Sequence, residues 1–336
     1  MSTRLATSPS LASLELQWPA WPHYALKEDL LPTLGDWYAR GRHIALATLI
    51  KVDGSSPRPL GSQMIVSDHG HVAGYVSGGC VEAAVAQEAM RVLRDGSPRW
   101  LDYGEGSQVM DIQLSCGGRI GILVCLLSDL NAYLTRWLDA RQHRRSFYVA
   151  LDRSTGGLRY PSSPGELHTN EFLLTYLPPP MLVVVGSDPA VLAMVYLARQ
   201  MEVELRVLRP HGPSEPPPGL SQSHYDSRPL AEALADLVLD SNCALYSLTH
   251  DNELDLQVAC HGFASVAACI GILGSRQKKE QRLRALRKLG YDEQALARLR
   301  LPAGWRLGHS SPHSIAVGII AEALEAIFCA DGRGSH

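Results

Sequence analysis

Apolar positions along this chain follow more than one period, and the pattern changes near its middle. In the first half, Leu30, Leu31, Leu34 and Trp37 recur at helical spacing and predict a helix from about residue 27 to residue 41. Residues 43–52 (HIALATLIKV) form a continuous apolar run that reads as a buried strand. Residues 62–77 (SQMIVSDHGHVAGYVS) read as a hairpin turning at Asp68, His69 and Gly70. Val81, Ala84, Val85, Ala89 and Val92 mark a helix, and 99–103 and 119–127 are two further strands. A Gly/Ser/Asp-rich stretch, GEGSQVMDIQLSCGG, joins those strands. This half therefore reads as α+β.

Residues 152–166 have the composition of a linker, which a Gly-rich hairpin shares. Pro178, Pro179 and Pro180 are a sharper boundary. Beyond them, short apolar strands at 181–185, 203–208, 243–248 and 268–274 alternate with helices from Pro189, near 229–238 and from Glu253. That alternation indicates a parallel sheet covered on both faces. The expected fold class is α/β: an N-terminal α+β domain over 25–177, then a Rossmann-like doubly wound parallel sheet over 178–330. Residues 1–24 are expected to be a tail. A length of 336 residues agrees with two domains of about 150 residues each.

Composition narrows the function classes. With 46% hydrophobic and 19% charged residues, the chain is expected to be globular. A net charge of -3 excludes a global basic field for wrapping nucleic acid. No sequence run approaches the roughly 18 apolar residues of a membrane span, and the first residues lack a secretory core. The seven cysteines are odd in number and lack CxxC spacing. They fit a reducing compartment, so a cytoplasmic protein is expected.

Candidate chemistry gathers at glycine-rich junctions. Ser77, Gly78, Gly79 and Cys80 stand between a strand and a helix. There a helix N-terminus favours an anion and the thiolate of Cys80. The same residues read equally as a tight turn, with Glu82 capping the helix and Cys80 as small filler. In Gly54-Ser55-Ser56-Pro57-Arg58-Pro59, two prolines preorder Arg58 as an anion clamp or, more simply, stiffen a surface turn. Cys116 precedes Gly117 and Gly118 in a second Cys/Gly-Gly element, and no ligand spacing makes these cysteines a zinc site. Gly274, Ser275 and Arg276 end a strand before a basic helix, Arg282 included, whose charges read as a solvated face. Gly186-Ser187-Asp188-Pro189 keeps only the first glycine of a dinucleotide fingerprint, and Leu208-Arg209-Pro210 stands where an acidic ribose ligand is expected. Thr249-His250-Asp251 ends a strand, and His250 reads as positional, because no nucleophile elbow accompanies it.

In order and content these segments resemble the XdhC/CoxI family, accessory proteins of molybdenum hydroxylases such as xanthine dehydrogenase. GSSPRPLG, SGGCVEAAVAQEA and SCGGRI stand in the first half; THDNELD, CIGILGSRQKK, LPAGW and SSPHSIAVGIIAEAL stand in the second. The resemblance covers roughly residues 40–328 and implies a non-enzymatic role. The protein would bind molybdenum cofactor (molybdopterin), protect it while a cysteine desulfurase partner installs sulfur, and deliver it to the apo-form of a molybdenum hydroxylase. Carried over motif by motif, the cofactor-binding residues are Ser55, Arg58, Gly78, Gly79, Cys80, Cys116, Gly274, Ser275 and Arg276. A homodimer is the default assembly. Departures at Gly186-Ser187-Asp188-Pro189, at Leu208-Arg209-Pro210 and at 302–308 weigh against a nucleotide site in the second half. An NAD(P)-binding oxidoreductase and a ligand-free scaffold for maturation partners are the alternatives.

Overall fold

The computed structural model describes residues 16, 18–107, 114, 117–274 and 279–330. The chain divides into two compact units, Met1–Leu177 and Pro178–His336.

Unit 1 is built on strands covered on both faces. Helix α1 (Leu31–Ala39) leads into β1 (Ile44–Asp53), followed by β2 (Gln63–Ser67), β3 (Val72–Gly74), α2 (Glu82–Asp95), β4 (Arg99–Gly104) and β5 (Arg119–Leu126). These strands form one antiparallel sheet in the order β3-β2-β1-β5-β4. Successive β1 side chains point to opposite faces. Ala45, Ala47 and Leu49 pack with α2, while Leu46 and Ile50 pack with α1 and the helix after β5. Two covered faces explain why 43–52 is a continuous apolar run.

That helix, α3 (Leu130–Gln142), precedes β6 (Phe147–Asp152), β7 (Leu158–Arg159) and β8 (Glu171–Tyr176). The three strands make a small antiparallel sheet in the order β7-β6-β8. The stretch 152–166 is thus hairpin, not interdomain linker. Asp152 caps its turn by accepting from the Ser154 and Thr155 amides.

Unit 2 has six parallel strands in the order β11-β10-β9-β12-β13-β14. They are β9 (Met181–Gly186), β10 (Glu204–Leu208), β11 (Tyr225–Asp226), β12 (Cys243–Leu248), β13 (Cys269–Ile272) and β14 (Leu299–Arg300). The connecting helices are α4 (Pro189–Gln200), α5 (Leu230–Ala235), α6 (Asn252–Ala264), α7 (Lys279–Lys288) and α8 (Glu293–Leu296), with α9 (Pro312–Ala330) last. Leu182 and Val184 of β9 face α4 and α9, whereas Met181, Val183 and Val185 face the α5 side. Helix α9 is long and apolar enough to cross a membrane. Its apolarity has another cause, since Ala316, Ile319, Ile320, Ala323 and Ile327 pack into the sheet core.

One polar group is buried in that core. Glu322 of α9 accepts hydrogen bonds from the Tyr246 hydroxyl (3.0 Å) and the Gly304 amide (2.9 Å). Burial pushes its carboxyl above the ordinary value, and those two donors only partly offset the effect. Tyr246→Phe removes one donor and leaves a buried acceptor under-satisfied. Urea denaturation should show a loss of about 1–3 kcal/mol; an unchanged midpoint would mean that the hydrogen bond contributes nothing.

Candidate functional site

Three of the glycine-rich segments meet in unit 1. Antiparallel pairing sets Asp53, at the end of β1, opposite Arg119, at the start of β5. The chain beyond each strand end therefore runs past the other, and Gly118 lies against Ser55. A Cβ on Gly118 would overlap the Ser55 carbonyl oxygen, so only glycine permits this approach. Gly78 in turn faces Pro57, where a Cβ would lie 3.2 Å from the ring Cγ. Ser55, Gly78, Gly79 and Cys80 are all exposed on this rim.

The interior of the 77–81 turn is occupied by protein. Helix α2 starts at Glu82, whose side chain is fully buried. Its carboxylate accepts from the amides of Ser77 (2.8 Å), Val76 (3.3 Å) and Val81 (3.2 Å) and from the Ser77 hydroxyl (2.9 Å). Of the two readings of this turn, the capping role of Glu82 is therefore present. The carboxylate takes inner donors that a bound phosphate would have used. Gly78, Gly79 and Cys80 lie on the exposed side of this turn.

Arg58 takes another direction. The Ser56 hydroxyl donates to the Arg58 carbonyl (2.9 Å), which tightens the proline-flanked turn. The guanidinium lies 4.3 Å from the centroid of the Tyr75 ring, and Nη1 donates to Tyr75 Oη (3.2 Å) and Glu28 (3.3 Å). It lines a cleft of about 460 Å³ that none of Gly78, Gly79 and Cys80 lines. Proximity in sequence to Pro57 thus brings Arg58 near the cysteine rim but aims it elsewhere.

Arg119, next to Gly118, is engaged by Asp102 of β4 through Nε (2.8 Å) and Nη2. The hydrogen bonds from Arg119 hold the Asp102 carboxyl below its ordinary value.

Cys116, Ser275 and Arg276 lie outside the described residues. Gly274 is described, and a Cβ on it would overlap Nη1 of Arg282. That arginine corrects an expectation: it is not part of a solvated face. Its side chain is 10% exposed and pairs with Asp255, itself 3% exposed. Arg282 also donates to the Leu273 carbonyl (2.9 Å), while Asp255 accepts from Ser247 Oγ (2.6 Å) and Thr249 Oγ1 (3.0 Å). No sequence signal separated Arg282 from its basic neighbours, because every polar partner is distant in sequence.

The first turn of the parallel sheet is also self-filled. Gly186 has φ +133°, with the Leu248 carbonyl where a side chain would be. Asp188 caps α4 by accepting from the Ala190 amide (2.8 Å), and its other oxygen meets His250 Nε2 at 2.9 Å. β9 and β12 are adjacent, so this is the topological switch point where such sheets bind nucleotides. A carboxylate at the phosphate position repels a pyrophosphate, which counts against an NAD(P) site. His250 holds Asp188, in line with a positional role.

Among the described residues, no group of three or more His, Cys, Asp or Glu is placed to hold a metal ion.

Fold and site together define a two-unit protein, an antiparallel α+β unit with a glycine-cysteine rim followed by a Rossmann-type sheet whose switch point carries the Asp188 carboxylate. The XdhC and CoxI family model matches residues 37–104, and the XdhC Rossmann domain model matches 182–323. The chain is 30% identical over 284 residues to the molybdenum cofactor insertion chaperone PaoD of Escherichia coli, covering 84% of this chain and 83% of that protein. It is 22% identical over 314 residues to a probable xanthine dehydrogenase component from Bacillus subtilis, covering 83% and 92% of the two chains. A solved structure titled as a xanthine dehydrogenase from Bacillus halodurans shares the fold, with TM-score 0.70 and 21% identity over 91% of this chain and 97% of that one. The chain belongs to the XdhC and CoxI family.

Two outcomes follow from these ion pairs. Asp102 has a lowered native pKa, so its contribution to stability is present above the ordinary carboxylate range and is lost as pH falls through the native value. Thermal melts from pH 7 to pH 3 should therefore fall less steeply for Asp102→Asn than for the parent; parallel curves would contradict this. Asp255→Ala strands a buried guanidinium, and chemical denaturation should show a loss of about 3–5 kcal/mol.

Proposed function

We propose that this protein carries molybdenum cofactor, shelters it during sulfuration by a cysteine desulfurase, and inserts it into the apo-form of a molybdenum hydroxylase in the cytoplasm. The observation that carries the reading is the meeting of Ser55 with Gly118 and of Pro57 with Gly78, two residues before the exposed Cys80. The relation to a protein named as a molybdenum cofactor insertion chaperone supports it. The chemistry of the rim suits such a cargo. A thiolate is a soft donor matched to a molybdenum-sulfur centre. Gly78 and Gly79 let the backbone approach a ligand closely, and Ser55 adds an exposed hydroxyl. Cys116, next to Gly117 in the sequence, is proposed as a further contact for the cofactor. In unit 2, Ser275 and Arg276 are proposed as a second contact for the cofactor. Gly274 serves there as the seat of Arg282.

The test uses protein purified from a host that makes the cofactor, under low oxygen. It is denatured and oxidised, and the released pterin is measured by fluorescence. Cys80→Ala should retain at least tenfold less pterin and mature less hydroxylase. Its stability should stay within about 0.5 kcal/mol of the parent, as for other exposed positions. Equal retention and delivery would remove Cys80 from the reading.

A further inference from the structure

The cleft beside Arg58 is bounded on one side by the free edge of a strand. In the order β7-β6-β8, β8 has a partner on one side only. Four consecutive residues of β8, Leu173 to Tyr176, line the cleft. A strand met on its face offers alternate residues, whereas one met on its edge offers all of them. The cleft therefore runs along the edge. Residues 172–176 carry no proline, charge or bulge of the kind that blocks pairing at an edge.

Register identifies the backbone groups that this edge presents. The Asn170 carbonyl accepts from the Arg153 amide across the hairpin (2.9 Å). Antiparallel alternation then turns the amides and carbonyls of Phe172, Leu174 and Tyr176 toward β6, and those of Leu173 and Thr175 outward. On β6 itself the Asp152 amide donates to Gly157 on the β7 side (2.9 Å), as the same alternation requires. Among the described residues, no backbone partner meets Leu173 or Thr175 from the outer side. Thr175 is exposed and Leu173 half-buried, so a ligand in the cleft can reach this edge.

The surroundings select the occupant. A volume of about 460 Å³ admits a few residues of extended chain and is too small for the sheet of a second copy. An extended chain satisfies the outward groups of Leu173 and Thr175 through its own backbone, the general mode of strand addition. Leu60 and Trp137 offer it apolar contact. Lys27 and Arg58 line the cleft with Glu28 as its one carboxylate, and Glu28 pairs with Arg58 at 3.3 Å. One positive charge is left over, which favours a segment that carries a carboxylate.

We infer that this cleft binds an extended segment of a partner polypeptide, apolar with an acidic residue, as an added strand on β8. Its backbone pairs with Leu173 and Thr175, and its carboxylate faces Lys27. Docking of this kind does not depend on what Cys80 carries, so it stands apart from the carrier reading.

The probe is a phage-displayed library of linear dodecapeptides, panned on the purified full chain. Enriched peptides should share alternating apolar positions and an Asp or Glu. The most enriched one is synthesised with a fluorescent label and titrated by anisotropy. Thr175→Pro removes one outward N–H at an edge position, where a sheet tolerates proline, and should bind about tenfold more weakly or worse. Lys27→Glu, at an exposed side chain, should bind about threefold more weakly, with a difference that shrinks at high salt. Circular dichroism and thermal melts check that both variants fold. Should Thr175→Pro not fold, amide exchange on the parent decides. The Leu173 and Thr175 amides should exchange quickly alone and about tenfold more slowly with the peptide bound. No enrichment, or equal binding by folded Thr175→Pro, would overturn the site. So would Leu173 and Thr175 amides already protected in the free protein, because a second copy or the chain's own terminus would then cover the edge. A parent that binds peptide but holds no pterin would keep the cleft and lose the carrier reading.

Discussion

The Glu82 carboxylate organises the turn that leads into α2 in unit 1. Fully buried, it gathers three backbone amides and the Ser77 hydroxyl. Without it, donors in a water-excluded turn would stand unsatisfied, at about 1–3 kcal/mol each. Its position fixes where α2 begins and keeps Gly78, Gly79 and Cys80 outside the turn. The seating of Gly78 on Pro57, and of Gly118 on Ser55, completes a rim of backbone and thiol.

The same device recurs in unit 2. Asp188 occupies the N-terminus of α4 at the switch point, where a pyrophosphate would bind in a nucleotide-dependent enzyme. Asp255 neutralises Arg282, whose guanidinium fills the space over Gly274. At the Glu82 and Asp188 junctions, whose glycines suggest anion binding, a carboxylate of the chain itself accepts from the backbone amides. Such sites hold their geometry without a ligand, because the donors are already engaged. A protein that must receive and release a cargo has use for a frame that does not depend on the cargo for its folding.

The cleft beside Arg58 differs from these junctions. There Tyr176 shares a hydrogen bond with Gln63, and Arg58 bonds to Glu28 and to Tyr75, which also backs its guanidinium. The proline-flanked turn contributes to both regions, since Pro57 meets Gly78 and Arg58 enters the cleft.

Much of the fold was legible in the sequence, because strands and helices are written in local periodicity. The runs 43–52 and 181–185 became β1 and β9, and Leu30, Leu31, Leu34 and Trp37 became the buried approach and face of α1. The prolines at 178–180 mark the division between the units. The glycine motifs were visible too, since a close backbone approach excludes a Cβ wherever it occurs. What only the tertiary structure decided is which groups meet across the chain. The sequence distinguishes a solvated Arg282 from a buried one no better than it tells an empty helix N-terminus from one filled by Asp188. Gln63, Tyr75 and Tyr176 carry no motif, and their meeting depends on strand register and on packing between β2, α3 and β8. Periodicity reports how each segment buries itself, whereas a site is made of contacts between segments, and those form only when the sheets assemble.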